Sequence, residues 1–336
     1  MLKIDHLSAS YKTINGNVHV VNDVDFVVRD NEVFGIAGES GCGKTTLLRA
    51  LYDIIEFPLE IDAGSVVLSG VKDGSPFTYK TGQIRKTWWK DISYVPQAAQ
   101  SVLNPITRLK SQFLDSIPKE SKKRESEAQT LKRVAAYLSE LELSPDVLEA
   151  FPFQLSGGMR QRAIIALATF MAPSIVLADE PTTALDVVVQ RGILMLLTRL
   201  QRQYQNTLIL VSHDMGVHYQ ITNRLGIMYS GSFVEMGETE EIFSNPLHPY
   251  TKMLISALPK IGDHSQKEGI PGRPPPLTEQ MPGCRFAPRC KKSTCECAKI
   301  APRFKEVMPG RFVACHLFDK DMFEKDLPDK GVPCHG

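Results

Sequence analysis

Eight residues near the N-terminus have the types and the spacing that bind phosphate groups. Gly38 to Thr45 reads GESGCGKT, which fits the pattern G-x-x-x-x-G-K-[ST]. The glycines would let backbone N–H groups curve around phosphate oxygens, Lys44 could reach the β and γ phosphates, and the Thr45 hydroxyl could bind Mg²⁺. The alternative is a glycine-rich turn with a chance lysine. Because an apolar run precedes the motif and a helical pattern, TTLLRALYDII, follows it, we favour a nucleotide site.

Two acidic residues and a histidine follow two further apolar runs. Asp179 and Glu180 come directly after Ile175 to Ala178, and His213 comes shortly after Thr207 to Val211. At the end of a buried strand beside a phosphate site, Asp179 could hold Mg²⁺ through water, and Glu180 could orient or deprotonate an attacking water. A helix cap is the alternative for the acidic pair. His213 could sense the γ-phosphate, although a lone histidine is more often structural.

Five of the seven cysteines crowd into the C-terminal segment. Four of them could supply the four ligands that a Cys₄ metal site needs. Their arrangement is Cys284-x₅-Cys290-x₆-Cys297-x₁₇-Cys315. This spacing differs from the C-x₂-C pairs of zinc ribbons, and four uncoordinated thiols are the alternative. Cys295 and Cys334 lie outside the pattern, although Cys295 could take the place of Cys297. We expect Cys42 to be a small residue of the phosphate-binding motif rather than a nucleophile.

The elements that must position these residues alternate between strands and helices. Alternating apolar residues near the N-terminus predict antiparallel strands, and later apolar runs followed by helical patterns predict a mainly parallel α/β sheet. Residues 105–150 have a charged, helical pattern, in which Lys119 to Glu127 is interpreted as a solvated helix face. A Pro/Gly-rich linker, GIPGRPPPLTEQMPG, starts at Gly269. We interpret the Trp88-Trp89 pair as packing rather than as a ligand site.

Composition and charge exclude several classes of protein. The chain has 336 residues with 39 basic and 38 acidic side chains, so its net charge of +1 gives no support to a general polyanion-binding protein. The 43% hydrophobic and 23% charged residues are typical of globular proteins and argue against disorder. No run reaches the roughly 18–20 apolar residues that span a bilayer. Because the N-terminus also lacks a secretory pattern, we expect a cytosolic chain whose membrane role comes through a partner.

Leu155 to Arg162, which reads LSGGMRQR, resembles the signature of ATP-binding-cassette (ABC) ATPases, and the other cassette motifs follow in the order of that family. Tyr11 matches the aromatic residue that stacks on adenine. Gln97 in YVPQ matches the Q-loop, which ligates Mg²⁺ and senses the membrane partner. Asp186 in TALD matches the D-loop, and His213 matches the switch histidine.

The resemblance implies a role for each residue in these motifs. Glu180 and His213 would be catalytic, and Thr45, Gln97 and Asp179 would bind Mg²⁺. The nucleotide would be bound by Tyr11, Gly38, Ser40, Gly41, Cys42, Gly43, Lys44, Thr45, Thr46, Gln97, Ser156, Gly157, Gly158, Asp179 and Asp186. In the family, the signature faces the γ-phosphate that the opposite subunit binds. We therefore expect hydrolysis only in a dimer with two ATP molecules at its interface.

The resemblance narrows to the ATPase subunits of oligopeptide/dipeptide (Opp/Dpp) importers and covers almost the whole chain. It rests on SVLNP after the Q-loop, FPFQLSGGMRQR, ADEPTTALDV, EEIFSNPLHPYTKMLISALP and the cysteine tail. It implies a structural [4Fe–4S] cluster on Cys284, Cys290, Cys297 and Cys315.

The implied fold is α/β, an ABC-type P-loop ATPase domain over residues 1–260. This domain would have a parallel core sheet, an N-terminal antiparallel β subdomain and a helical signature subdomain at about residues 98–165. Residues 261–336 would form a Pro-rich linker and a small Cys-rich, metal-binding extension.

The implied partners are a second ATPase subunit, two transmembrane permease subunits and an extracytoplasmic solute-binding protein, with no nucleic acid. The family favours a distinct sister chain over a second copy. The subunit would lie peripherally on the cytoplasmic face of the cell membrane. Peptide is the favoured cargo, but related importers move oligosaccharides or nickel. The remaining alternative is a soluble cassette protein that acts on ribosomes or nucleic acid. The single cassette, the balanced charge and the importer-type tail argue against it.

Overall fold

Strands from the whole length of the chain form two sheets in the computed structural model, which describes residues 1–68, 84–97, 102–118, 125–258, 269–279 and 281–319. The strands are β1 (Leu2–Thr13), β2 (Gly16–Val28), β3 (Val33–Ala37), β4 (Leu59–Leu68), β5 (Ile92–Val95), β6 (Ile175–Asp179), β7 (Thr207–Val211), β8 (Arg224–Tyr229), β9 (Ser232–Glu238), β10 (Lys305–Met308) and β11 (Arg311–Val313). Some of the predictions fall outside the described residues. They concern residues 98–101 and 119–124 of the helical region, the domain boundary at residue 260, and Cys334.

Helices lie between these strands along the described parts of the chain. They are α1 (Lys44–Leu51), α2 (Leu109–Ser116), α3 (Glu127–Glu140), α4 (Gly157–Thr169), α5 (Val187–Tyr204), α6 (Met215–Ile221), α7 (Thr239–Ser244), α8 (Pro249–Ser256) and α9 (Cys295–Lys299). In the part of the chain that the structure describes, no helix combines the length and the apolar character that crossing a membrane requires.

The larger sheet has the order β10-β11-β9-β8-β3-β7-β6-β5. Strands β8, β3, β7, β6 and β5 pair in parallel, which confirms the predicted parallel core. Strand β6 is buried on both faces: Ile175 and Leu177 enter one core, and Val176 and Ala178 enter the other. Continuous apolar strands of this kind are expected where both faces of a parallel sheet are covered.

A smaller sheet covers one face of this core. Strand β1 pairs antiparallel with both β2 and β4, which confirms the predicted antiparallel N-terminal strands. Apolar residues of this sheet, such as Ile4 and Phe26, pack with Phe34 of the core strand β3 and with Leu48 of α1. Helices α2 to α5 pack on the opposite face of the core. The helix α1 and the phosphate-binding segment before it are therefore held between two sheets.

The C-terminal segment adds two strands to the larger sheet. Strand β11 pairs antiparallel with β9, with Phe312 opposite Met236. The buried Arg311 donates a hydrogen bond of 2.6 Å to Glu235, whose carboxylate also accepts from the backbone N–H groups of Leu247 and His248. A desolvated carboxylate needs such partners. The cysteine-bearing segment, residues 281–319, therefore continues the same sheet whose strands carry the nucleotide-binding motifs.

Both residues of the Trp88-Trp89 pair pack against other side chains, as predicted from the sequence. The Trp88 ring stacks on Tyr52, with ring centroids 4.7 Å apart, and its Nε1 donates to the Tyr52 carbonyl. Trp89 packs against the helical core. Tyr52 in turn stacks on Tyr94 of β5, at 5.4 Å.

Candidate active site

The phosphate loop, Gly38–Thr45, connects β3 to α1 at the carboxyl end of the parallel strands. Gly43 has a φ of 107°, and a Cβ atom there would lie 2.4 Å from the Val20 carbonyl oxygen, so the loop requires glycine at this position. The Lys44 side chain is buried, and its Nζ donates to the carbonyl oxygens of Gly38, at 2.8 Å, and Glu39, at 2.9 Å. The ammonium group thus lies inside the curve of the loop.

The remaining loop residues differ in exposure. Ser40 and Gly41 are exposed at the tip of the loop, whereas Cys42 and Thr46 are buried. Burial raises the pKa of the Cys42 thiol, which agrees with its interpretation as a small packed residue rather than a nucleophile. Tyr11, on β1, is half-buried, and its hydroxyl lies 3.2 Å from Thr46 Oγ1. The predicted adenine-stacking ring therefore lies beside the first turn of α1.

Two predicted Mg²⁺ ligands are in direct contact. The Thr45 hydroxyl donates to Asp179 Oδ1 at 3.1 Å, and the Tyr94 hydroxyl donates to Asp179 Oδ2 at 2.9 Å. Burial raises the pKa of Asp179, while the hydrogen bonds from Tyr94 and Thr45 act in the opposite direction. A carboxylate and a hydroxyl at the open end of a phosphate loop form a donor set that suits a hard cation.

Glu180 receives side chains from three separate segments. Its Oε2 accepts from Gln97 Nε2, at 3.2 Å, and from the Thr183 hydroxyl, at 2.8 Å. Its Oε1 lies 3.2 Å from His213 Nδ1. The Glu180 backbone N–H also donates to the Val211 carbonyl, at 2.9 Å, which fixes it at the end of the sheet. The structure therefore brings together three predicted site residues that are far apart in sequence.

The signature residues form a second group. Ser156 caps α4 by accepting from the Met159 N–H, at 3.3 Å, and Asp186 caps α5 by accepting from the Val189 N–H, at 2.9 Å. The starts of the two helices are adjacent, because a Cβ atom on Gly158 would lie 2.9 Å from Val189 Cγ1. Within the described ranges, no hydrogen bond or ion pair joins Ser156 or Asp186 to the phosphate loop. The predicted nucleotide ligands thus fall into two separate groups within one chain.

The four cysteines of the predicted metal pattern lie near one another. Cys284 donates its backbone N–H to the Cys297 carbonyl, at 2.7 Å. Burial raises the pKa of the Cys284, Cys290 and Cys315 thiols, that of Cys315 to about 11, and the neighbouring cysteines add to each increase. The four thiols are therefore near enough to influence one another's protonation.

Sequence reasoning missed several residues at the site. Tyr94 holds Asp179, and Thr183 holds Glu180. A polar aromatic residue in the buried strand ISYV, three residues before Gln97, was the available signal for Tyr94. The ion pair between Glu39 of the phosphate loop and Arg289 of the cysteine-bearing segment had no local signal, because 250 residues separate the two.

Comparison with known proteins identifies the family. Residues 21–183 match the family model described as ABC transporter, and residues 234–297 match the model described as oligopeptide/dipeptide transporter, C-terminal region. The chain is 36% identical to the dipeptide transport ATP-binding protein DppD of Caldanaerobacter subterraneus subsp. tengcongensis, over 95% of this chain and 98% of that protein. The chain belongs to the ATP-binding subunits of the ABC peptide-transporter family. Members of this family are ATPases.

Further relatives and solved structures agree with this membership. The oligopeptide transport ATP-binding protein OppD of Haemophilus influenzae is 34% identical, over 94% of this chain and 97% of that protein. Among solved structures, a dimeric ATP-binding cassette in a post-hydrolysis state, bound to ADP and Pi, aligns with a TM-score of 0.60 and 26% identity. The alignment covers 71% of this chain and 99% of that chain. This ABC ATPase subunit therefore has the cassette fold that the signature motif implied.

Proposed function

We propose that this ABC subunit hydrolyses ATP to power peptide import, with Glu180 as the general base. The convergence of Gln97, Thr183 and His213 on the Glu180 carboxylate, beside the contact between Thr45 and Asp179, is the observation that carries the proposal. A carboxylate held at both oxygens, at the edge of a phosphate site, is placed to take a proton from water. Peptide is the proposed cargo because the chain resembles dipeptide and oligopeptide transport proteins over most of its length.

The chemistry follows from the positions of these groups. Water attacks the γ-phosphorus, its proton passes to Glu180, and the bond from the γ-phosphorus to the bridging oxygen breaks as ADP departs with the electron pair. Lys44 and the loop N–H groups would stabilise negative charge on the phosphates. Thr45, Asp179 and Gln97 would hold Mg²⁺, which when bound neutralises charge on the β and γ phosphates. His213, whose Nδ1 lies 3.2 Å from Glu180, would orient the base toward the γ-phosphate.

The second half of the site would come from another ATPase subunit. Ser156 and the N–H groups of Gly157 and Gly158 lie at the start of α4, where the helix dipole favours an anion, but they do not bond to the phosphate loop of their own chain. Val187 and Val188, directly after Asp186, are 80% and 82% exposed. Large exposed apolar side chains next to a binding motif are typical of an interface. The dimeric cassette among the similar structures agrees with a nucleotide-sandwich dimer.

The full assembly would contain the partners that peptide import requires. These are a second, distinct ATPase chain, two permease subunits and an extracytoplasmic binding protein, with this subunit peripheral on the cytoplasmic face of the membrane. Affinity capture from detergent-solubilised native membranes, followed by mass spectrometry, tests this set. Recovery of two polytopic proteins and a second ATPase would support it. Recovery of ribosomal proteins or nucleic acid, with no membrane subunits, would contradict it.

Replacement of the proposed base tests the catalytic assignment. The Glu180→Gln variant should bind ATP like the wild type and lose at least about 10²-fold in turnover, because an amide cannot accept the proton from water. Glu149→Gln is the matched control: Glu149 is an exposed carboxylate bound to Lys110 and Arg108, away from the phosphate loop. Near-normal steady-state hydrolysis in Glu180→Gln would refute the assignment.

We also infer that residues 261–336 carry a [4Fe–4S] cluster on Cys284, Cys290, Cys297 and Cys315, attached to an ATPase domain over residues 1–260. The donor set fits: the four thiols are close enough to raise one another's pKa, and cysteine thiolates are the ligands that hold iron–sulfur clusters. The cluster would join the loop after the linker to β11 and act structurally.

Iron content tests this inference. Purified under anaerobic conditions, the wild type should contain about four irons per chain and absorb in the visible region. The Cys284→Ser/Cys290→Ser double variant should lose both. Cys42→Ser, which replaces a buried thiol outside the pattern, should keep both. Iron retained in the double variant, or zinc found in the wild type, would overturn the cluster assignment.

A further inference from the structure

An arginine from the cysteine-bearing segment reaches into the phosphate loop. Arg289 immediately precedes Cys290, and its side chain is only 3% exposed. Its Nη1 and Nη2 donate to the two carboxylate oxygens of Glu39, at 2.7 and 2.9 Å. Glu39 is the second residue of the phosphate loop. This paired, two-bond geometry is the strongest form of an arginine–carboxylate interaction.

Both partners of the pair are fixed by further hydrogen bonds. Arg289 Nε donates to the Pro271 carbonyl, at 2.9 Å, and Nη1 donates to the Tyr229 hydroxyl, at 3.3 Å. The Glu39 N–H donates to the Tyr250 hydroxyl, at 2.9 Å, and the Glu39 carbonyl accepts from Lys44. A continuous path of contacts therefore runs from Arg289, which is next to Cys290, through Glu39 to Lys44 of the phosphate loop.

The negative charge on Glu39 explains how the ion pair with Arg289 would affect ATP binding. A carboxylate in a loop that receives a triphosphate repels the ligand unless a cation neutralises it. The Glu39 side chain is 26% exposed, so water screens it only in part. Arg289 draws the carboxylate toward the cysteine-bearing segment and cancels its charge. Without Arg289, the Glu39 carboxylate would lose this neutralising cation and would remain beside the phosphates.

We propose that Arg289 is a positioning residue that makes ATP affinity depend on the folded, cysteine-bearing segment. Arg289 acts through Glu39 and does not touch the nucleotide. The proposal rests on the assignment of the phosphate site made above. It gives the C-terminal segment a role in nucleotide binding in addition to structural support.

A set of matched substitutions tests the proposal by direct measurement of ATP binding to the purified subunit. Arg289→Gln should weaken ATP binding about tenfold, within the usual range for coupled sites, and should leave kcat at saturating ATP within about twofold. Arg285→Gln is the control, because Arg285 lies in the same segment and, among the described residues, donates to the carbonyls of Glu279 and Pro276 rather than to the phosphate loop. This control should bind ATP within about twofold of the wild type.

Removal of the second charge separates this role from a loss of folding. In the Glu39→Gln/Arg289→Gln double variant no carboxylate faces the phosphates, so binding should return to within about threefold of the wild type. A merely structural role for Arg289 would give no such recovery. Equal losses in the Arg285 and Arg289 variants, unchanged binding in Arg289→Gln, or no recovery in the double variant would each overturn the proposal.

Two further variants complete the test. Cys290→Ser should weaken ATP binding in the wild-type background and add little in the double variant, because the path through Arg289 is already removed there. An equal loss in both backgrounds, or no loss in either, would overturn the link to the cysteine-bearing segment. Lys44→Ala should abolish binding in every background. Binding that survives Lys44→Ala would refute the phosphate-site assignment itself, which distinguishes that failure from a failure of the coupling.

Discussion

Removal of a single hydroxyl should weaken the proposed Mg²⁺ site. In Tyr94→Phe, Asp179 Oδ2 loses the donor that lies 2.9 Å away, in a buried setting. A hydrogen bond to a charged group contributes about 1.5–3 kcal/mol. This corresponds to a factor of about 10 to 150 in the equilibrium that favours the ionised carboxylate, the form that binds Mg²⁺. Because Thr45 and the phosphates would share the cation, we expect the lower end, about a tenfold increase in the Mg²⁺ concentration for half-maximal ATP hydrolysis.

The pH dependence of the same variant gives a second readout. Burial raises the pKa of Asp179, and the Tyr94 hydrogen bond opposes that increase. Loss of the hydroxyl should therefore raise the pKa further. A proton and Mg²⁺ compete for the carboxylate, so the Mg²⁺ requirement should increase as the pH falls, and more steeply in the variant. The difference between variant and wild type should be larger at about pH 6 than at about pH 8.

The assay is a Mg²⁺ titration of ATP hydrolysis by the reconstituted transporter at two pH values. Tyr137→Phe is the matched control, because it also removes a buried hydroxyl, one that lies 2.7 Å from Thr169 Oγ1 in the helical region. A Mg²⁺ midpoint that stays unchanged in Tyr94→Phe, or that moves equally in both variants, would refute the role of Tyr94 in positioning Asp179.

The remaining predictions concern stability and the signature helix. Arg311→Met should lower the free energy of unfolding by about 3–5 kcal/mol in urea titrations, because Glu235 would stay buried without its cation. Ser156→Ala should cost about 1 kcal/mol through the lost cap and leave ATP binding by the single chain unchanged. Burial lowers the pKa of His218 to about 4 and that of His248 to about 3. Their unfolded forms take up protons near pH 6.5, so stability should fall from pH 6.5 down to about 4 for His218 and about 3 for His248. The loss should be about 2 kcal/mol for each histidine at pH 5, and His248→Asn should reduce it.

Local motifs made much of the site predictable. The phosphate loop, Asp179 and Glu180 each follow an apolar strand, and the ends of parallel strands meet at one edge of a sheet. Gln97 was identified through the family resemblance, which also strengthened the assignment of His213, and the structure places both against Glu180. Sequence patterns were sufficient here because strand, turn and functional residue are neighbours along the chain.

Non-local contacts could not be predicted in the same way. Tyr94 lies in a short strand whose pattern, ISYV, does not tell which neighbour its hydroxyl will meet. The pairing of β11 with β9 joins Phe312 to Met236, far apart along the chain, and no turn signal specifies that partner. The contact between Arg289 and Glu39 joins residues 250 positions apart, so no local pattern specifies it either.

The two halves of the ATP site differ in how their own chain supports them. On the phosphate side, Thr45 and Glu39 have partners from other elements, and Lys44 is held by two carbonyl oxygens of its own loop, so these side chains are fixed before a ligand arrives. On the signature side, Ser156 and Asp186 are exposed caps whose described bonds stay within their own helices. A preformed site costs little reorganisation when ATP binds. Under the proposed function, closure onto a second subunit would then complete the site, and a membrane partner would control hydrolysis at that step.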